Sequence, residues 1–344
     1  PYHDNGIKVF NSKGVKLDKD TEMEIEKIVS EHPKHIDFAA PKDLGRAKRL
    51  DDAPGRYIEF AKNTFPKNKT LKGLKIVLDS ANGAAYQVAD KIFWELGAEI
   101  ISISNKPDGF NINHNCGSTH TELLKAEVLK HNADLGIALD GDADRLMIID
   151  NKGQLVNGDK IIALIALYMK SNGTLNKDTV ATTHMSNISL EHFLNKHKIK
   201  LKRTDIGDKF VYREIEEQKL SLGGEQSGHI IIPEFSSTGD GIIAALQVLA
   251  SFTQSSKNTI SDFFNLYQDT PQVLHNIQLE SFDILDSPLL LNTIKKIEQD
   301  LGKEGRILVR KSGTETLARI MIEHPNKNTI SRNLEIISNL MYKP

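Results

Sequence analysis

Residues 138–150 read ALDGDADRLMIID, which sets Asp140, Asp142 and Asp144 at alternating positions of an otherwise apolar run. Carboxylates that close repel one another unless a cation or hydrogen bonds compensate, and a dry site would protonate them. Three hard oxygen donors at this spacing suit a Mg2+ that keeps its other positions for water or phosphate. Arg145 stands beside them, where a guanidinium can meet an anion. An EF-hand calcium loop is the near competitor, and it needs Gly at its sixth position and Glu at its twelfth. Here those positions hold Arg145 and Asn151, so the calcium loop is set aside. A solvated acidic turn is the plain alternative.

Two further loops carry polar groups in patterns that could hold a ligand. SLGGEQSGHIII places Glu225, Ser227 and His229 at alternate residues, and in an extended segment such side chains face one way. A carboxylate, a hydroxyl and an imidazole suit sugar hydroxyls, which both donate and accept, although a satisfied polar pair explains Glu225 and His229 equally well. VRKSGTETLAR supplies Arg310, Ser312, Gly313 and Thr314: a guanidinium, two hydroxyls and several backbone N–H groups between two expected strands. That inventory cradles a phosphate without covalent chemistry; an ordinary polar hairpin is its alternative.

The elements that must position these loops alternate between strand and helix, the signature of α/β units. Strands are expected at Leu74–Leu78, Glu99–Ile103 and Leu135–Leu139, with helical spacing from Tyr86 to Leu96 and at Glu122–His131. The acidic loop then follows the last of these strands, and in open α/β sheets ligands collect beyond the carboxyl ends of strands. A second unit runs through helix Asp159–Lys170, strand Thr179–Thr183, helix Leu190–His197, strand Ile199–Arg203 and helix Phe210–Gln218 to the GEQSGH loop and helix Gly241–Phe252. Beyond the polar segment SFTQSSKNT the order changes to strand Val273–Leu279, helix Leu289–Leu301, paired strands Arg306–Val309 and Leu317–Ile322, and helix Ile330–Leu340, a smaller α+β domain. The division expected is 1–53, the tail of a further domain; 54–154, with helix Gly55–Asn63 as connector; 155–258; and 259–344.

Composition narrows the classes. A chain of 344 residues, 39% hydrophobic and 26% charged, is an ordinary globular protein of several domains. A formal net charge of −2 leaves no basic footprint for nucleic acid. Cys116 is the only cysteine, which rules out an internal disulfide framework and points to a reducing cytoplasm. The longest apolar stretch, Ile161–Met169, is too short to span a bilayer and reads as one buried helix.

DGDADR, GEQSGH and RKSGTE, in this order on this α/β pattern, closely resemble the α-D-phosphohexomutase superfamily, and within it the bacterial phosphoglucosamine mutases. DNGIK, ANGAA, PDGFNIN and TGDG are also similar to that family, so the resemblance covers essentially the whole chain. It implies a four-domain, heart-shaped architecture of three similar α/β domains, the first incomplete here, and a smaller α+β domain. It implies interconversion of a hexose 6-phosphate and 1-phosphate through a phosphoserine and a bisphosphorylated sugar, with a hexosamine or glucose 1,6-bisphosphate as activator and intermediate. Asp140, Asp142 and Asp144 match its Mg2+ ligands, and Arg145 the residue contacting the phosphoserine. Glu225, Ser227 and His229 fall in its sugar-binding loop, and Arg310, Ser312, Gly313 and Thr314 in the loop for the non-reacting phosphate. Lys8 matches a lysine that transfers a proton near the reacting oxygen. The partner implied is a small phosphosugar, serving UDP-N-acetylglucosamine and cell-wall precursor synthesis in the cytoplasm, with neither nucleic acid nor membrane involved. Homo-oligomerisation stays open.

The resemblance has a gap. The family's phosphoserine lies in an S-H-N-P motif directly ahead of DNGIK, and this sequence starts at Pro1, matching the motif's last residue. The nucleophile would lie three residues before Pro1, and Ser12, beyond DNGIK, does not replace it. The expectation is that the chain as given binds metal and sugar phosphate but does not turn over. Thr316 departs from the family's usual Pro, which would preset the backbone there. The glucosamine branch rests on Gln226, on IGDKF at 206–210 and on GRYIEFAKNTFP. A glucose or mannose phosphate mutase, or a non-catalytic sugar-phosphate or metal-binding protein, are the alternatives.

Overall fold

The first helix, α1 (Lys19–Ser30), starts where the Asp18 carboxylate accepts the Thr21 N–H at 2.9 Å. None of α1 is buried. The computed structural model describes residues 2–342, apart from 5, 7, 8, 13, 32–38 and 313–315. The chain forms two units, residues 1–155 with 231–254, and 156–230 with 255–344.

In the first unit, α2 (Ala53–Asn63) has its proline in the first turn, where the missing N–H costs nothing. Then come β1 (Lys75–Asp79), α3 (Ala89–Glu95), β2 (Glu99–Ile103), α4 (Glu122–Lys130), β3 (Leu135–Leu139), β4 (Leu146–Asp150) and β5 (Leu155–Val156). The sheet order is β2-β1-β3-β4-β5, with β1 parallel to β2 and β3. All of β3 is buried, as expected of a strand covered on both faces. On one face Leu124 and Val128 of α4 pack with Val77, Ala138 and Ile149. The expected alternation breaks at β4. The run LMIID folds straight back on β3, antiparallel, with Leu146 opposite Leu139. The acidic loop is therefore the tip of a hairpin at a strand end.

The second unit contains α5 (Gly158–Ser171), β6 (Thr179–Thr183), α6 (Ile188–Lys196), β7 (Lys200–Thr204), α7 (Asp208–Gln218), β8 (Gly223–Gly224) and β9 (Ile230–Ile231), in sheet order β7-β6-β8-β9. The chain then returns to the first unit as α8 (Gly241–Gln254), buried continuously from Gly241 to Ala250 and packed on β3 and β4. Its end runs into SFTQSSKNT, so that segment is partly helix rather than wholly linker. Thr259 caps α9 (Ile260–Phe264).

The remaining elements are β10 (Gln272–Gln278), α10 (Pro288–Leu301), β11 (Arg306–Lys311), β12 (Leu317–Glu323) and α11 (Lys327–Tyr342). The strands form an antiparallel sheet, β10-β12-β11. Ala318, Ile320 and Ile322 point to a core shared with Ile297 and Leu301 of α10 and Ile337 of α11. Period-two alternation leaves Arg319 on the opposite face. No helix among the described residues is long and apolar enough to cross a membrane.

Candidate functional site

In the β3–β4 hairpin, Asp140, Asp142 and Asp144 each offer a carboxylate oxygen within 4.8 Å of the others. The Arg145 N–H donates to Asp140 Oδ1 at 3.0 Å, and Ala143, at φ 61°, donates its N–H to Asp140 O at 3.0 Å, which turns the loop. Burial, then the charges of Asp144 and Asp142, push the Asp140 carboxyl up to about 7. A cluster that resists full ionisation by itself is what a divalent cation would relieve, so the donor set fits Mg2+. Arg145 Nε lies 3.9 Å from both Asp140 and Asp144, and is buried without a hydrogen-bond partner among the described residues.

Neighbouring segments fix this loop by its backbone. The Ala84 N–H donates to Gly141 O at 2.8 Å and the Gly241 N–H to Ala143 O at 2.9 Å. Gly83 approaches so closely that a Cβ would overlap the backbone of Gly141. ANGAA and TGDG thus act as braces. Behind the first, buried Asp79 accepts N–H groups from Ala81 at 2.9 Å and Gly117 at 2.8 Å. Within the second, Asp240 accepts the Tyr57 hydroxyl at 2.8 Å and the Ile243 N–H at 2.9 Å. A cleft of about 1050 Å³ beside the loop is lined by Asp140, Asp142, Arg145, Asn113, His114 and His120. Sequence reasoning missed the two histidines; their only signal was proximity to PDGFNIN. Lys8 lies outside the described residues.

GEQSGH is not extended. The Glu225 N–H donates to His229 O at 2.9 Å and the Gly228 N–H to Glu225 O at 3.0 Å, a tight turn that Gly228 permits with φ 90°. This brings Ser227 Oγ to Glu225 Oε2 at 3.4 Å but turns His229 inward, where it is 3% exposed and 3.8 Å from Asp208. The expectation of three side chains facing one way therefore gives way to a pair, Glu225 and Ser227. Gly207 of IGDKF donates its N–H to Glu225 Oε1 at 3.2 Å, so that motif anchors the carboxylate.

In the β11–β12 hairpin, Arg310 lies directly opposite Arg319, which in turn faces Asn276 of β10. Like charges opposite one another on adjacent strands are unfavourable unless an anion joins them. Burial and the Arg319 charge both lower the pKa of Arg310, and Arg319 Nε is buried without a hydrogen-bond partner among the described residues. Both line a pocket of about 300 Å³ with Met185, Leu274, Asn276 and Leu308. The Ser312 N–H closes the hairpin on Leu317 O at 2.9 Å, while its buried Oγ has no partner among the described residues. Gly313 and Thr314 lie outside the described residues. Arg319 was missed because only strand register reveals its partner.

Family models described as phosphoglucomutase/phosphomannomutase alpha/beta/alpha domain II, alpha/beta/alpha domain III and C-terminal domain match residues 55–153, 157–270 and 274–339. Phosphoglucosamine mutase from Granulibacter bethesdensis is 48% identical over 99% of this chain and 74% of the relative. The phosphoglucosamine mutase of Bdellovibrio bacteriovorus is 46% identical over 100% of this chain and 75% of the relative. The chain belongs to the phosphoglucosamine mutase family. Phosphoglucosamine mutases are isomerases of the phosphohexomutase superfamily.

The fold is shared more widely than the sequence. A phosphoglucomutase/phosphomannomutase family protein from Burkholderia thailandensis superposes with a TM-score of 0.75 at 19% identity, covering 94% of this chain and 70% of that one. The N-acetylphosphoglucosamine mutase of Aspergillus fumigatus, solved with GlcNAc-6P and magnesium, gives 0.69 at 20% identity, covering 86% and 66%. Each polar loop of this phosphoglucosamine mutase family member lies in a different matched domain: Asp140–Arg145 in the second, Glu225–His229 in the third, Arg310–Arg319 in the last.

Proposed function

We propose that this chain handles amino-sugar phosphates as its relatives' name indicates, in the interconversion of glucosamine 6-phosphate and glucosamine 1-phosphate. The observation that carries the reading is the acidic hairpin, three carboxylates within 4.8 Å braced by two backbone contacts, in a chain 48% identical to a phosphoglucosamine mutase. Asp140, Asp142 and Asp144 would hold Mg2+, which when bound supplies charge neutralisation for a phosphoryl group. Arg145, its Nε free of any hydrogen-bond partner among the described residues, supplies a cation for phosphate oxygens. Glu225 accepts hydrogen bonds from sugar hydroxyls, and Ser227 donates or accepts. Arg310 and Arg319 take the non-reacting phosphate between them, with Ser312 beyond β11 and, from the family resemblance, Gly313 and Thr314. Phosphoryl transfer needs little beyond such positioning and charge stabilisation.

The remaining roles follow the family resemblance: proton transfer by Lys8, a hexosamine or glucose 1,6-bisphosphate as activator and intermediate, and supply of UDP-N-acetylglucosamine in the cytoplasm. His229, turned inward, shapes the turn from behind. Calorimetric titration with glucosamine 6-phosphate and glucose 6-phosphate, in the presence of Mg2+, tests the reading. Tighter binding of the amino sugar is expected. Preference for glucose 6-phosphate would reassign the chain to a glucose phosphate, and no binding of either would overturn the reading.

A further inference from the structure

The 225–229 turn is gripped by the start of α5. Gly158 donates its N–H to Gln226 O at 3.1 Å, and a Cβ on Gly158 would run into Glu225 O and Gly228 N, so helix and turn touch backbone to backbone. The next residue, Asp159, is 0% exposed. Its Oδ2 accepts the Asn187 N–H at 2.7 Å and the Gln226 side-chain amide at 3.3 Å, while Oδ1 has no partner among the described residues. Asn187 is the N-cap of α6, so the carboxylate sits at two helix N-termini, whose partial positive charge favours an anion.

Packing alone does not call for a carboxylate in such a place, where an apolar side chain of similar volume would serve stability as well or better. What Asp159 adds is direction: an acceptor that fixes the Gln226 amide, and with it the turn bearing Glu225 and Ser227. We propose that Asp159 is a positioning residue for the sugar-reading turn, acting through Gln226, and that Gln226 influences substrate choice through the shape of that turn rather than by touching the sugar. The inference rests on the assignment of Glu225 and Ser227 as sugar readers. Glu225 is held from its other side by the Gly207 N–H, so the loss of Asp159 would free one edge of the turn and leave the other in place.

The test is paired calorimetry on the whole chain with glucosamine 6-phosphate and with inorganic phosphate, which has no sugar hydroxyls for the 225–229 turn to hold. Asp159→Ala and Gln226→Leu should each weaken glucosamine 6-phosphate about tenfold while changing inorganic phosphate by less than about twofold. The double variant should be no weaker than Asp159→Ala alone, because the Asp159–Gln226 hydrogen bond is already lost there. Asp159→Asn can keep its oxygen where Oδ2 lies, and should stay within about threefold of wild type. Wild-type affinity in Asp159→Ala or Gln226→Leu, additive losses, or an equal loss of inorganic phosphate would each overturn the inference. Should Asp159→Ala not fold, Gln226→Leu and Asp159→Asn decide alone. A wild-type chain that binds inorganic phosphate but gains nothing from the sugar would sink the sugar-turn assignment itself.

Discussion

Mg2+ binding should depend on pH through Asp140, and the dependence can be worked out. Burial first, then Asp144 and Asp142, raise this carboxyl from its ordinary 3.8 to about 7. A metal ligand must be ionised, so protons compete with Mg2+ wherever Asp140 is protonated in the metal-free chain. With a titration near 7, about nine-tenths of the chains carry Asp140 ionised at pH 8, about half at pH 7 and about one-tenth at pH 6. The apparent Kd should therefore rise about twofold from pH 8 to 7 and about tenfold from pH 8 to 6. Binding at pH 7 should release about half a proton, measurable as the dependence of the calorimetric heat on buffer ionisation enthalpy. The sign for stability follows from the same shift. A carboxyl raised in the fold stabilises the metal-free chain most below its unfolded value, and that contribution is lost as pH rises through about 7. Saturating Mg2+ should accordingly raise Tm more at pH 8 than at pH 6. An affinity that stays flat between pH 6 and 8 would refute the reasoning, since it would mean that Asp140 is an ordinary solvated carboxylate.

Other perturbations test the surrounding geometry. Gly83→Ala, whose Cβ would overlap the Gly141 backbone, should cost about 1–3 kcal/mol in thermal unfolding and weaken Mg2+ at least about tenfold. Asp142→Ala should abolish Mg2+ binding by calorimetry while leaving the circular dichroism spectrum unchanged, because Asp142 is exposed. Arg319→Met should weaken inorganic phosphate about tenfold yet leave the urea midpoint nearly unmoved, because it also removes a like-charge pair worth up to about 1 kcal/mol. Glu323→Gln should cost about 3 kcal/mol by urea denaturation. Glu323 is 0% exposed and paired with Arg306, whose charge would then meet only neutral acceptors, the new amide oxygen and the Ser186 and His184 carbonyls.

What the sequence made legible is what local pattern determines. Strands Glu99–Ile103, Leu135–Leu139 and Thr179–Thr183 were readable to the residue, since each is a short apolar or β-branched run between turn signals. α1 was not, because no residue in it is buried and its helix depends on a cap and charge pattern. β4 was missed because an apolar run after an acidic loop does not announce which strand it will pair with. The turn at GEQSGH was misread as extended since the reversal hangs on one glycine, Gly228. In the site itself, the acidic triad stood out by spacing alone. Arg319 and Asp159 did not, because their meaning comes from partners far along the chain: Asn276 and Arg310 across the sheet, Asn187 across a helix and a strand.

Those hidden partners share a logic. Asp79, Asp159 and Asp240 all lie largely or wholly out of water, and burial raises the pKa of each. None would touch a ligand in the proposed reading. Each accepts a backbone N–H close to a loop that would: Asp79 from Ala81 and Gly117, Asp159 from Asn187, Asp240 from Ile243. A buried carboxylate is poor economy for stability but a strong, directional acceptor for main-chain donors. Where the chemistry is mostly positioning, such acceptors matter more than additional ligands, because a loop that wanders by an ångström forfeits the charge stabilisation its side chains provide. Substitution of any of the three should therefore affect ligand affinity more than substitution of an equally buried leucine that costs the same stability. The contrast between Asp79→Asn and Leu78→Ala in Mg2+ titrations at matched distance below Tm would show whether these acids hold the fold or hold the loops.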